Sequence, residues 1–130
     1  MAIPVLETDH LILRGFMQTN LDAYASIFGD PEVARGGIAD GKPVGQNLAW
    51  RGMATMVGHW HLRGFGMWAV EEKASGEMIG RAGLLEPGGW PGTETGCLIV
   101  RAHWGKGYAT EAARCCLDWA VEPLGRNDLI

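Results

Sequence analysis

The residues best placed to do chemistry are two glycines, Gly105 and Gly107, on either side of Lys106 and just ahead of an amphipathic stretch that begins at Ala109. Glycine can turn the chain sharply and leaves nearby N–H groups unobstructed by Cβ atoms. The N–H groups in the first turn of a helix lack intrahelical acceptors, and the helix dipole favours negative charge there. A strand end, this turn and that helix together could hold a diphosphate through backbone alone. Two other phosphate loops do not fit. A Walker A loop needs serine or threonine after its lysine, and Lys106 is followed by Gly107. A dinucleotide fingerprint needs a third glycine where Thr110 stands, and no suitable acidic strand end follows about 20 residues on. Taken alone, the glycine pair is also what a tight turn seating a helix requires.

Other reactive side chains are sparse. The cysteines Cys97, Cys115 and Cys116 are odd in number and lack metal spacing, which favours a reduced, intracellular protein. His59 and His61 sit two apart in a helical stretch, so they point to different faces, and no metal site is expected. Trp60, Trp68 and Phe65 could line a pocket, but apolar residues at these periods more often build core. The net charge of −4 argues against a general nucleic-acid partner without excluding an anionic small ligand. The first residues lack a basic region followed by an apolar run, and no apolar stretch reaches membrane-spanning length. A cytoplasmic location is expected. At 130 residues the chain suits one domain, and the 20 glycines lack any fibrous period.

The elements that must position the turn follow from periodicity. His10–Arg14 reads as a strand. Thr19 opens a helix, with Asp22 in capping-box position and Leu21, Ala25 and Phe28 on one side. It stops near Gly29-Asp30-Pro31, and residues 29–43 read as loop. Val44–Leu62 is helical, with an apolar stripe of Ala49, Met53, Met56 and Trp60 closed by Gly64 and Gly66. Gly66–Glu71 and Met78–Leu84 form a hairpin around Lys73–Gly76, and Thr95–Val100 is the fourth predicted strand. Ala109–Glu122 is a helix whose apolar face takes Ala109, Ala112, Ala113, Cys116, Leu117 and Ala120, leaving Glu111 and Arg114 largely outside it. Asn127–Ile130 reads as the start of another strand. Three consecutive strands favour an antiparallel meander, and the last helix would cross over to a strand beside it. The class is α/β (α+β), with a mixed, mostly antiparallel central sheet flanked by helices.

The run Trp104-Gly105-Lys106-Gly107-Tyr108-Ala109-Thr110-Glu111-Ala112 closely resembles the acetyl-CoA pyrophosphate loop of GNAT-type N-acetyltransferases. It looks most like the branch that includes ribosomal-protein-alanine acetyltransferases. Leu6–Arg14, Asp30-Pro31-Glu32-Val33, Gly64–Val70, Gly76–Gly80 and Glu94–Leu98 fit the same branch in order. Trp104 stands where many superfamily members have arginine or glutamine.

The resemblance implies a sheet that splays after the fourth predicted strand, with acetyl-CoA as cosubstrate in the opening. The pantetheine arm would pair with backbone around Gly96, Cys97 and Leu98, and the pyrophosphate would sit on amides from Gly105 to Ala109. Transfer of acetyl to a primary amine, a protein N-terminus or a small molecule, would follow by direct attack in a ternary complex. Glu94 is the candidate base, acting directly or through water, and His103 a weaker candidate relay. A covalent role for Cys97 is disfavoured, since no histidine base is evident beside it. The resembling family continues beyond its fifth strand to a helix and two strands that supply a thiolate-protonating tyrosine. A single acetyltransferase domain over 1–130, stopping near the start of that strand, is therefore expected, either as part of a longer chain or completed by a homodimer. A CoA-binding or dimerisation module without turnover is the competing reading.

Overall fold

The computed structural model describes residues 2–28, 45–122, 124 and 125. Five strands form one antiparallel sheet in chain order: β1 (Leu6–Glu7), β2 (Leu11–Arg14), β3 (Met67–Glu72), β4 (Met78–Leu85) and β5 (Glu94–Ile99). Helices α1 (Leu21–Phe28) and α2 (Gln46–Arg63) separate β2 from β3, and α3 (Tyr108–Val121) follows β5. The meander is the expected one, with the two-residue β1 added at its edge. The loop expected over 29–43, the Asp30–Val33 segment and the strand expected over Asn127–Ile130 lie outside the described residues.

The two sheet faces carry separate cores. On one, Phe16, Met67, Ala69 and Met78 pack against Tyr24 and Ile27 of α1 and Ala49, Met53 and Met56 of α2. On the other, Leu11, Leu13, Val70 and Leu84 meet Ala112, Cys116 and Ala120 of α3. Trp60, Trp68 and Trp119 form an edge-to-face cluster with ring centroids 4.8–5.5 Å apart. Trp60 and Trp68 donate their indole N–H groups to the carbonyls of Met67 and Pro4, both at 2.8 Å. Buried indoles need such acceptors, and this pairing makes Trp60, Trp68 and the buried Phe65 core residues rather than pocket lining.

Three local expectations are corrected. Thr19 does not cap α1: it lies in a 3₁₀ turn, Gln18–Asn20, whose Asn20 Oδ1 accepts from Met17 N–H at 2.8 Å and Arg14 Nη1 at 3.0 Å. On α1 the fully buried residues are Tyr24 and Ile27, while the expected Leu21 and Ala25 pack half-buried against the same core. The Tyr24 ring fills the groove edge-on to Phe16, which a small alanine could not do. On α3, Ala109 and Leu117 are exposed. Small side chains at Ala112, Cys116 and Ala120 recur every four residues, so α3 settles closely along that line and rotates the larger Leu117 away.

The sheet is irregular where β4 meets its neighbours. Pairing with β3 slips between Val70 and Glu71, opposite Gly80 and Met78. A Cβ at Gly80 would lie 2.0 Å from the Leu98 carbonyl oxygen of β5. Backbone cannot yield as a flexible side chain can, so only glycine allows β5 this close approach. Gly58 of α2 is the opposite case, since a Cβ there meets nothing within 4 Å. We expect Gly80→Ala to destabilise by about 2 kcal/mol or more, and Gly58→Ala to stabilise by about 0.5–1 kcal/mol. Urea unfolding of both variants checks the contrast.

Candidate functional site

Strand β5 bonds to β4 along one edge, and its other edge faces no strand among the described residues. Glu94, Thr95 and Gly96 are exposed, while Cys97 and Leu98 are half-buried. With Met67, Arg81, Leu85 and Trp90 this strand lines a cleft of about 320 Å³. Arg81 Nη1 donates to Tyr24 Oη at 3.0 Å, bringing α1 to the cleft wall. Burial raises the Tyr24 hydroxyl above its ordinary pKa, although Arg81 opposes this. Burial also pushes the Cys97 thiol up to about 11, which suits a small hydrophobe and not a nucleophile.

Beyond β5 the chain makes a 3₁₀ turn, Arg101–His103, and the Trp104 indole then donates back to the Ile99 carbonyl at 2.6 Å. Gly105 and Gly107 follow in left-handed conformation, with φ of 86° and 78°. Gly107 is the residue before α3 and accepts the first helical bond, from Glu111 N–H at 3.0 Å. From Gly105 to Thr110 no backbone N–H donates to an acceptor among the described residues. A Cβ built on Gly105 or Gly107 meets no atom within 4 Å, so the space beside this backbone is open. Free donors, a helix N-terminus and open space together fit a diphosphate.

Side chains away from this turn hold it in place, and sequence reasoning missed them. Glu72, at the end of β3, is buried and accepts from Tyr108 Oη at 2.8 Å and from Ser75 Oγ at 2.8 Å. His103 Nδ1 lies 3.3 Å from its Oε2, and Lys106 Nζ lies 3.8 Å away. Lys106 also sits 3.2 Å from His103 Nδ1 and 5.8 Å from the centre of the Tyr108 ring. The Tyr108 hydrogen bond, more than any other cause, lowers the Glu72 carboxyl below its ordinary 4.5. Glu111 is more than the solvated residue its helical position suggests. Its carboxylate accepts from Thr8 Oγ1, and from His10 N–H and Nδ1 at 2.9 Å each. These bonds tie the first turn of α3 to the loop between β1 and β2. No helical or strand period links residues this far apart in sequence, so no local pattern could have revealed either carboxylate's role.

A third brace lies on the far side of the cleft. His59 Nδ1 donates to the Phe65 carbonyl at 2.8 Å, and Nε2 accepts from Glu86 N–H at 2.9 Å. Both ring nitrogens are used, which fixes the tautomer. The Glu86 carboxylate accepts from Thr93 Oγ1, closing the loop that carries Trp90 into the cleft and delivers Glu94. The described residues contain no cluster of three or more metal-ligating side chains, and no described helix is long and apolar enough to cross a membrane.

Comparison with known families places the chain: the acetyltransferase (GNAT) domain family matches residues 10–130. The chain belongs to that family. YkkB of Bacillus subtilis (strain 168) is 32% identical over 119 residues, covering 88% of this chain and 66% of YkkB. The N-acetyltransferase p20 of Bacillus licheniformis is 30% identical over 124 residues, covering 94% of this chain and 68% of p20. An acetyltransferase structure from Agrobacterium tumefaciens str. C58 matches at a TM-score of 0.86 and 32% identity, over 99% of this chain and 73% of that one. The chain spans about two thirds of the length of the curated relatives it matches. The mixed α/β GNAT-like fold, with helices flanking an antiparallel sheet, agrees with these structures.

Of the residues singled out in sequence, the fold brings Glu94, Gly96, Cys97 and Leu98 to one cleft and gathers Trp104 to Thr110 at the end of the same strand. The braces also carry a pH dependence. Burial alone would raise the Glu111 carboxyl, but hydrogen bonds from Thr8 and His10 outweigh it and leave it below the ordinary 4.5. A carboxyl lowered on folding stabilises the native state above the unfolded value, and that contribution is lost as pH falls through the folded one. We expect the thermal midpoint to fall as pH is lowered from 4.5 and below, and Glu111→Gln to flatten that fall in a pH series of melting curves.

Proposed function

We propose that this chain transfers acetyl from acetyl-CoA to a primary amine by direct attack. The observation that carries this reading is the run of N–H groups from Gly105 to Thr110 that bond to no described residue, with open space beside Gly105 and Gly107, just beyond β5, whose outer edge faces no described strand. In this reading the amides from Gly105 to Thr110 receive the diphosphate. The outer edge of β5 at Gly96, Cys97 and Leu98 pairs with the amide-containing pantetheine arm, as an added strand would. Trp104 contributes its indole bond to Ile99 rather than a charge. Lys106 neutralises Glu72 in part.

The donor thioester supplies an activated carbonyl, and the chain must present a neutral amine to it. The C–N bond forms, the C–S bond breaks, and CoA leaves as a thiolate that takes up the proton shed by the acylated nitrogen. Glu94 lines the same cleft as the pantetheine edge and is the base in this proposal, taking the proton from the incoming ammonium directly or through one water. Met67, Leu85 and Trp90 give the cleft apolar walls that limit water around the reacting atoms. Cys97 stays a thiol and forms no acyl intermediate. The resemblance of Leu6–Arg14 and Glu94–Leu98 to the ribosomal-protein-alanine branch supports a protein N-terminus as acceptor, with small amines as the second class. We place the reaction in the cytoplasm.

The test is CoA-thiol release from acetyl-CoA with a panel of N-terminal peptides and small amines, followed by the Glu94→Gln variant. Removing a general base is expected to lower kcat by about 10²-fold or more while leaving the KM for acetyl-CoA unchanged. A chain that binds CoA yet releases no thiol with any amine would favour the binding module. An unchanged kcat in Glu94→Gln would remove Glu94 from the mechanism.

A further inference from the structure

The turn between β5 and α3 has little to hold it in shape by itself. Its amides from Gly105 to Thr110 bond to no described residue, and its two glycines adopt positive φ with nothing packed beside them. Glycine segments lose the most conformational freedom on ordering, so such a turn needs external ties to stay in one geometry. One buried acceptor lies beside three of its residues. Glu72 Oε2 meets Tyr108 Oη at 2.8 Å, His103 Nδ1 at 3.3 Å and Lys106 Nζ at 3.8 Å, while Ser75 Oγ fixes the other carboxylate oxygen at 2.8 Å. Those three residues bracket Gly105 and Gly107 on both sides.

We propose that Glu72 is the positioning residue of the diphosphate cradle, holding the Gly105–Thr110 amides convergent by anchoring His103, Lys106 and Tyr108 to the end of β3. This rests on the acetyl-CoA reading above and adds to it a residue that touches no substrate. Charge alone predicts the opposite effect. A carboxylate near an anion site repels the ligand, so removing it should tighten binding if the field were all that mattered. The positioning role predicts weaker binding, because a cradle ordered only on ligand arrival must pay that entropy from the binding energy. The sign of the change therefore separates the two.

The experiment is calorimetric titration of CoA into wild type, Glu72→Gln, Tyr108→Phe and the double variant, with a melting curve for each. Both single variants are expected to raise the Kd for CoA by about tenfold. The double variant should be no weaker than the weaker single, since both remove one tie. A merely structural role would lower the melting midpoint and leave the Kd of the folded protein where it was. Glu72→Gln binding as tightly as wild type or tighter, or additive losses in the double variant, overturns the inference. Should Glu72→Gln fail to fold, Tyr108→Phe removes a single oxygen and decides alone: unchanged CoA affinity overturns the inference. Wild type that takes up no CoA sinks the acetyl-CoA reading and this one with it, whereas wild type that binds while the variants bind equally sinks this one alone.

Discussion

A turn whose N–H groups bond to no described residue is not held by them, and this constraint shapes the chain around residues 100–111. Ordinary turns are stabilised by their own hydrogen bonds, and buried or half-buried amides are nearly always paired. Here the stretch from Gly105 to Thr110 has none within the described residues. The work of shaping it passes to neighbours on three sides: the Trp104 indole on Ile99, the Glu72 carboxylate at the end of β3, and Glu111 on Thr8 and His10. The ties reach β5, the end of β3 and the loop between β1 and β2, so the turn is set from several parts of the sheet. These ties also set two acidic side chains, Glu72 and Glu111, beside the turn proposed above to hold an anion. Their negative charges are spent on hydroxyl, imidazole and ammonium donors already present.

The sheet sets the second constraint, at strand β5. Strand β5 approaches β4 so closely at Gly80 that no side chain fits between them, while its outer edge faces no described strand. The two separate cores make this tolerable. Helices α1 and α2 bury one face, and α3 with Trp60 of α2 buries the other, so side-chain packing as well as strand pairing holds the sheet in shape. The brace from His59 through Glu86 to Thr93 then fixes where β5 begins.

Much of this was legible in the residue order. The α2 stripe of Ala49, Met53, Met56 and Trp60 is buried as its spacing implied, and the hairpin of β3 and β4 turns where Lys73–Gly76 said it would. The glycine turn was legible because its parts are local: strand end, glycines and helix start are adjacent in sequence. What stayed hidden depends on residues far apart. Glu72 and Tyr108 are 36 positions apart, and Thr8 and Glu111 are 103 apart. Helix rotation was the other blind spot. Periodicity gave α3 a broad apolar face, but close packing of the small residues at Ala112, Cys116 and Ala120 chose a narrower line and left Leu117 outside. Likewise Thr19 satisfied a capping pattern, while Asn20, tied to Arg14, supplied the actual bond to Met17.

The net charge of −4 remains to be reconciled with an anionic donor. Long-range attraction cannot do it, because exposed charges beyond about 10 Å are largely screened at physiological salt. Lys106 cannot do it alone either, since its ammonium lies within 3.8 Å of Glu72 and is partly neutralised there. What remains, in the function proposed above, is short-range: the N–H dipoles of Gly105 to Thr110, aided by the N-terminal end of α3. Such a site selects by geometry more than by charge. Its affinity should then depend on how well the turn keeps its shape, which is why the braces beneath it matter as much as the amides themselves.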